Sequence, residues 1–523
     1  MPVSPICFKD ACHEGDHSRH ISFNDNQPSD PGLSVISPLR GTYIAASPIF
    51  LMPIEILQDI FIRCLPGPPS SRSLYRFLER QVYKPSSAPL LLCQICELWR
   101  QCAICLPDLW ASLDVYVFMG KPRPSLELAA LWLARSGALP LSLGLYQQSD
   151  SYDNHVSAGE VLNIYTRYVH RWFNIQLDLS GPRIPRYTRL LSPQHRSAPM
   201  LKHFRMQTSY QVHEDEENDL FGIFNNAPRL SNLYVSKIPN LSLDGVSAVS
   251  VPWSQLVSLK LDYVPSVGTV LHILQKCQDL TDCAIKVDSI SGPLPRDPIY
   301  HLHLISLTLH IDHEQASAFL QHIALPGLAR LAIYGKEPLD QDGWPQPKFL
   351  GFLERSECRL VHFEIHDTGM RFDEFAECVS NPQLQTLKSI IVDDRRDWMW
   401  DPPVTDLALG LLTCSTLLDK SPSTTATAFT ELPFAFDPES ETIPTKLIPC
   451  VLPKLESLTF RGSCLWSADG AVADMIESRW RFRWNEVRRI KRVELDLLEN
   501  HVEDFRRLSE FYDEGLELYL LAR

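Results

Sequence analysis

The chain of 523 residues holds 63 acidic and 49 basic residues, a formal charge of -14, and is 45% hydrophobic and 21% charged. This is ordinary globular composition, long enough for two or three domains or one extended array, and its acidic balance argues against nucleic acid as a main partner, because phosphate binding rests on clustered cations. No apolar run approaches the roughly 18 residues of a membrane span, and the 14 cysteines follow no framework spacing behind a secretory leader, so no membrane association is expected and the compartment expected is cytoplasmic or nuclear, with reduced thiols.

Residues 1–46 are rich in Ser, Pro, Asp, Asn and His without a period, which predicts a disordered tail. Cys7, Cys12, His13, His17 and His20 within it match no zinc-ligand spacing. From Met52 to Pro66 the apolar residues Ile56, Leu57, Ile60, Phe61, Cys64 and Leu65 recur at i, i+1, i+4, i+5, i+8 and i+9, one broad stripe on a helix. Pro53 suits the first helical position, Glu55 favours the positive end of the helix dipole, and Pro66-Gly67 ends the segment. A short helix this apolar must bury its stripe. A partner follows at Pro89–Arg100 and on to Trp110.

In order, Met52-Pro53, Glu55-Ile56-Leu57, Ile60-Phe61, Ile95-Cys96, Trp99-Arg100 and Pro107-Asp108-Leu109-Trp110 make three anchors in register. Together they resemble an F-box, the three-helix module that docks on the Skp adaptor of cullin–RING ubiquitin ligases. The resemblance places the module at 47–116, with an insertion at about 68–88 between its first two helices. It implies a Skp-adaptor-binding set of Met52, Pro53, Ile56, Leu57, Ile60, Phe61, Leu65, Trp99, Leu109 and Trp110, and through the adaptor the cullin and RING subunits as partners. Met52 stands where the family carries Leu, a volume-conserving change, and Glu97-Leu98 replaces the usual basic pair before the Trp.

Leu126–Ser136 predicts a linker helix within 117–137, with Gly137 as its C-cap. Thereafter an apolar-x-x-apolar-x-apolar unit repeats, the strand core of a leucine-rich repeat. It occurs at Trp172/Ile175/Leu177, Leu201/Phe204/Met206, Leu230/Leu233/Val235, Leu256/Leu259/Leu261 and Leu280/Cys283/Ile285. Further units fall at Leu304/Leu307/Leu309, Leu328/Leu331/Ile333, Leu360/Phe363/Ile365, Leu384/Leu387, Leu455/Leu458/Phe460 and Ile490/Val493/Leu495. Most successive first residues up to Leu384 are 24 to 29 apart, near the repeat length of about 20–29. Amphipathic stretches at Val267–Cys277, Gln315–Leu325, Phe349–Cys358 and Phe372–Val379 lie between them.

The expected fold is therefore α/β, a three-helix F-box followed by a leucine-rich-repeat solenoid, a curved parallel sheet with outer helices. The array runs over 138–392, an irregular insertion with a loose loop at 419–444 fills 393–449, and terminal repeats with a cap occupy 450–523. The whole resembles the large family of F-box proteins with degenerate leucine-rich repeats found in mushroom-forming fungi, its marks including Trp132–Gly137 and Ile476–Trp480.

Chemistry-bearing clusters are few. Cys93-x-x-Cys96 and Cys102-x-x-Cys105 are only five residues apart and fall on expected helices, unlike zinc pairs held on turns. Arg479–Trp484 with Arg488, Arg489, Lys491 and Arg492 interleaves cations with aromatics, which suits single-strand stacking or a helix whose arginines reach outward over buried rings. His301 and His303 are expected on the solvent face of a strand, with Leu302 and Leu304 inward. No nucleophile elbow, P-loop, zincin or dinucleotide motif occurs. The expected function is a substrate-recognition adaptor of a Skp–cullin–F-box ubiquitin ligase, not an enzyme, without metal or cofactor; the alternative is an interaction scaffold acting without ubiquitin transfer. An unknown target protein is expected on the concave sheet face at His310, Arg330, Tyr334, His362, Glu364 and His366, unless that face is merely solvated. Within this set His310, Tyr334 and His366 are expected to form one lateral row.

Overall fold

The computed structural model describes residues 49, 52–65, 88–149, 151–180, 197–208, 222–236, 251–289, 292–336, 343–394, 403–414, 450–462, 467–481 and 487–522. The expected tail at 1–46, the loop at 419–444 and the insertion at 68–88, apart from Ala88, lie outside them. Contacts divide the chain into two units, Met1–Pro53 and Ile54–Arg523. Among the described residues every strand belongs to the second unit.

Three short helices open that unit: α1 (Ile54–Arg63), α2 (Leu92–Ile95) and α3 (Glu97–Ile104), followed by a 3-10 turn at Pro107–Trp110. Cys96 breaks α2 from α3 with an extended backbone, and its sulfur accepts the Trp99 N–H at 3.5 Å as an N-cap. The chain then enters strand β1 (Ser112–Phe118) directly, inside the segment expected to end at 116. Helix α4 (Leu126–Arg135), capped by Ser125 and ended by Gly137 at φ +57°, is packed rather than a free linker. Its Trp132 indole donates to Ser112 O at 2.9 Å, and its ring meets Trp110 edge-on at 5.0 Å.

The remaining strands are β2 (Lys121–Arg123), β3 (Leu141–Gln147), β4 (Trp172–Leu179), β5 (His203–Thr208), β6 (Asn232–Val235), β7 (Ser258–Ser266) and β8 (Asp282–Ser289). They continue as β9 (Ile299–Tyr300), β10 (Ser306–Ile311), β11 (Ile323–Ala324), β12 (Arg330–Gly335), β13 (His362–His366) and β14 (Ser389–Asp393). The last are β15 (Ser457–Arg461), β16 (Arg492–Leu497) and β17 (Glu517–Ala522). Fifteen of them form one sheet, in chain order except that β2 lies at the edge outside β1, with β9 and β11 paired separately and only the β1–β2 hairpin antiparallel.

Register makes the sheet a set of ladders. One runs Leu113, Leu143, Ile175, Phe204, Leu233, Leu259, Cys283, Leu307, Leu331, Phe363, Ile390, Leu458, Val493, Leu518. Two residues on, a second ladder includes Leu177, Met206, Val235, Leu261, Ile285, Leu309, Ile333, Ile365, Val392 and Phe460. All of these are buried except Leu518, half-buried on the last strand. A third apolar row, Leu201, Leu230, Leu256, Leu280, Leu304, Leu328, Leu360, Leu387, Leu455 and Ile490, seats the turn before each strand.

The crossovers carry α5 (Tyr152–Thr166), α6 (Val267–Lys276), α7 (His313–Gln321), α8 (Gln346–Ser356) and α9 (Phe372–Ser380). Beyond β14 follow α10 (Asp406–Leu412), α11 (Ala471–Arg481) and α12 (Val502–Asp513). Each is amphipathic or largely buried, with polar ends capped by Ser151, Ser266 or Asp312 where a cap is needed. Close approach of turn to strand leaves Gly335 beneath the Asp367 carbonyl with no room for a Cβ. No helix among the described residues is long and apolar enough to cross a membrane.

Two expectations are corrected here. The unit assigned to Leu384/Leu387 begins instead at Leu387 and continues with Ile390 and Val392, because Pro382–Leu384 is a 3-10 turn started by the proline. His301 is fully buried and Leu302 is 63% exposed, the reverse of the expected faces. Residues 301–305 form a bend before β10, so strand alternation does not apply there. The His301 ring nitrogen Nε2 meets Cys277 O at 2.7 Å, tying this bend to the end of α6.

Replacing His301 by Ala leaves that buried carbonyl without its partner, which typically costs about 1–3 kcal/mol. The same change at exposed His303 should stay within about 0.5 kcal/mol. Urea unfolding of the two variants measures the difference; equal costs would contradict the assignment of His301 to the interior.

Candidate functional site

Two surfaces collect the residues singled out by sequence. On the first, the six-residue stripe of α1 is wider than one contact can cover, and it splits. Leu57 and Phe61 turn inward at 1% and 0% exposure, where Phe61 meets the half-buried Trp99 ring at 5.0 Å. Leu109 and Trp110 are likewise interior, and the Trp110 indole donates to Ala103 O at 2.7 Å under the Arg135 guanidinium. These four therefore hold the helices together rather than lie free for a partner. Ile56, at 51% exposure, and Ile60 face solvent, and Leu65 is half-buried. The adaptor-binding set expected from sequence left out Ile54, Ile62, Leu91, Ile95 and Leu98, which are also exposed on or beside α1, α2 and α3. Ile54 and Ile62 flank the α1 stripe and Leu91, Ile95 and Leu98 come from the second apolar segment, where only packing separates an outer edge from an inner one. Met52 and Pro53 belong to the first unit, where the Met52 N–H donates to Ile49 O at 3.4 Å.

The second surface is the polar face of the sheet. Between the two apolar ladders and just past the second, alternate residues point away from the helices. His310, Tyr334 and His366 occupy one cross-strand row, their rings stacked at 4.4 Å and 4.2 Å with interplanar angles of 15° and 6°. Asp393 and Arg461 continue it. His366 Nδ1 lies 3.6 Å from the buried Asp393 carboxylate and its Nε2 lies 3.7 Å from Glu364, ionic contacts beyond hydrogen-bond length. Arg461 closes the end, 3.6 Å from Asp393 and 2.8 Å by its Nε from Glu494. Arg330 and His362 pair in register two outward rows back, beyond Ala332 and Glu364, Arg330 exposed and His362 half-buried. Stacked rings cover each other's faces, so what remains for a partner is their edges, which carry ring C–H, N–H and the Tyr334 hydroxyl.

The charges around this row are not equivalent. Burial pushes His366 down, but Asp393 and Glu364 outweigh it and hold its pKa above the ordinary 6.5. His310 is lowered by burial and by Lys286, and His362 by burial and by Arg330. The Tyr334 phenol is raised by burial and by Glu364.

A second cluster on this face was missed by sequence. Tyr116 and Tyr146 stack at 4.7 Å, and Tyr234 sits between the Arg205 guanidinium at 4.5 Å and the Lys260 ammonium at 4.8 Å. The Tyr234 hydroxyl donates to Asp262. These residues alternate with ladder positions as Tyr334 does, so the pattern was present but no single motif marked it.

The remaining clusters resolve into structure. Cys93, Cys96, Cys102 and Cys105 range from buried to exposed and do not converge. Among the described residues only Asp469, His501 and Asp504 bring three ligand-type atoms together. Asp469 caps the Glu503 and Asp504 N–H groups, and Asp504 accepts from Ala473 N at 2.7 Å and meets His501 Nδ1 at 2.9 Å. Those atoms join α11 to α12. In the basic-aromatic segment, the expectation that the arginines all reach outward fails at Arg479, which is 1% exposed. Trp480 is buried beneath the Arg489 guanidinium, 3.3 Å from its ring centre, and donates to Glu514 at 2.7 Å.

No protein-family model matches the chain, and no curated protein does. Among solved structures, the yeast complex of Rad7 and Elc1 aligns at 13% identity over 69% of this chain and 70% of that one, with a TM-score of 0.30. A protein from Bacteroides fragilis aligns at 11% identity over 74% and 76%, with a TM-score of 0.25. Likeness at this level carries no argument about function.

A buried carboxylate that raises His366 makes a testable linkage. His366 should titrate above 6.5 by NMR, and Asp393→Asn should lower its midpoint. With the folded value raised, its contribution to stability is present below pH 6.5 and lost as pH rises through its own midpoint. His310 and His362 run the other way, costing stability as pH falls below 6.5. A His366 midpoint unmoved by Asp393→Asn would show that Asp393 is not the cause.

Proposed function

We propose that the chain is a non-enzymatic adaptor, α1 to α3 forming an F-box that docks the Skp adaptor of a cullin–RING ubiquitin ligase while the polar sheet face receives a target protein. The observation that carries this proposal is the exposed isoleucine edge of α1, on the same helix whose Leu57 and Phe61 are buried, Phe61 against the Trp99 ring. Isolated exposed apolar residues are ordinary, but Ile54, Ile56, Ile60, Ile62, Leu91, Ile95 and Leu98, with half-buried Leu65, over three short helices support a contact surface. Its position in the chain coincides with the motif anchors named from sequence.

Catalysis by proximity follows from such an arrangement. A target held on the sheet and a ligase held on the helices are parts of one body, so ubiquitin transfer becomes effectively intramolecular. No side chain of this protein needs to form or break a bond. On the target side, the edges of the His310–Tyr334–His366 row with Arg330 offer the residue types that dominate binding hot spots.

Ile56→Ala with Ile60→Ala removes two exposed anchors worth about 2 kcal/mol each, so adaptor affinity should fall about 1,000-fold while the melting temperature holds. Pull-down of the Skp adaptor, with cullin scored in the same eluate, measures it. Undiminished capture would overturn the docking assignment, and adaptor captured without cullin would favour a scaffold. Tyr334→Ala with Arg330→Ala should lose target capture and keep the adaptor; targets that survive this pair but are lost on changing α7 and α8 would move the binding face to the helices.

A further inference from the structure

Cys414 and Cys450 meet at the base of the long connection between β14 and β15. Their sulfurs lie 2.7 Å apart, with the Cys414 thiol directed at Cys450, and both side chains are almost wholly buried. Helix α11 builds the seat. Ser478 Oγ accepts the Cys414 N–H at 3.0 Å. The Arg479 guanidinium donates to Leu412 O at 2.6 Å, to Val451 O at 2.7 Å and to Leu452 O at 3.1 Å, so it clamps the backbone on both sides of the pair.

All three acceptors are neutral carbonyls, and among the described residues no carboxylate pairs with Arg479. A buried cation without an anion is costly. The anion available beside it is a thiolate. The Cys414 hydrogen bond and the Arg479 charge together pull Cys450 below the ordinary thiol value against burial, whereas Cys414 is raised. The other buried cysteines among the described residues, Cys102, Cys277, Cys283, Cys358 and Cys378, are all pushed upward by burial. Cys450 differs from them in having both a thiol donor and a guanidinium.

We propose that Cys414 and Cys450 are a reversible redox pair, with Cys450 the attacking thiolate, Cys414 the resolving thiol and a hydroperoxide the oxidant. The Cys450 thiolate attacks the peroxide oxygen. The O–O bond breaks, and water or an alcohol leaves after taking a proton, giving a Cys450 sulfenic acid. The Cys414 sulfur then attacks the Cys450 sulfur; an S–S bond forms, the S–O bond breaks, and water leaves with the Cys414 proton. Two thiols lose two electrons and the peroxide gains them. The product ties the end of α10 to the approach of β15.

The test uses the full chain treated with hydrogen peroxide, mapped by non-reducing peptide mass spectrometry. A Cys414–Cys450 cross-linked peptide that dithiothreitol reverses is expected. With a dimedone probe present, Cys414→Ser should carry the label on Cys450, and Cys450→Ser should carry none on Cys414. Peroxide that leaves both thiols free in the wild-type chain, or that joins either one to Cys464 instead, overturns the pair. Label on Cys414 in Cys450→Ser overturns the assignment of roles. The wild-type cross-link decides the pair even if a serine variant fails to fold.

Discussion

Everything in the second unit hangs on cross-strand register. Parallel pairing with a side-chain period of two means that one residue of slip would turn every buried Leu, Ile and Phe of a strand to solvent. The ladders through Leu307, Leu331 and Phe363 and through Leu309, Ile333 and Ile365 therefore fix not only the core but the opposite face. His310, Tyr334 and His366 stack because the ladder beneath them aligns their strands, and Asp393 reaches His366 for the same reason. A polar surface of this kind is a by-product of an apolar constraint. It can vary in chemistry without endangering the fold, which is why repeat arrays serve as recognition surfaces.

The connection between β14 and β15 is where that constraint is weakest in sequence, since a long stretch separates two strands that pair residue for residue from Ser389↔Ser457 to Asp393↔Arg461. Here a buried cation substitutes for local regularity. Arg479 gathers carbonyls from both ends of the connection, and Ser478 adds a fourth tie through Cys414. A guanidinium suits the task because its planar donors point in several fixed directions at once. At the chain's end, the Asp469–His501–Asp504 knot joins the last two helices in a similar way, with polar groups fully occupied by one another and by backbone N–H groups.

The N-terminal helices obey a different balance. They are too short to stand alone, and they gain their packing from the Trp110–Trp132 contact that joins them to α4 and the first strand. That leaves the outer edge of α1 apolar and uncovered, an arrangement with a free-energy cost in water that a partner would remove. The same helix thus carries an inner edge that belongs to the fold and an outer edge available for association.

Sequence alone determined the strand period, since Leu-x-x-Leu-x-Leu units at 24 to 29 residues admit little but a parallel stack with short crossovers. It also placed His310, Tyr334 and His366 in one row, because a constant unit implies constant register. It did not place β1 and β3, whose units lack the leading Leu, nor the shift from Leu384 to Leu387, where a proline turn imitated the repeat. Faces failed wherever the backbone was not regular: His301 entered the interior because a bend replaced the strand assumed there. Which edge of α1 is buried, the inward turn of Arg479 and the meeting of Cys414 with Cys450 were decided only by tertiary structure. Periodicity fixes what a residue does relative to its own strand or helix, whereas burial between distant elements depends on which surfaces the completed fold brings together.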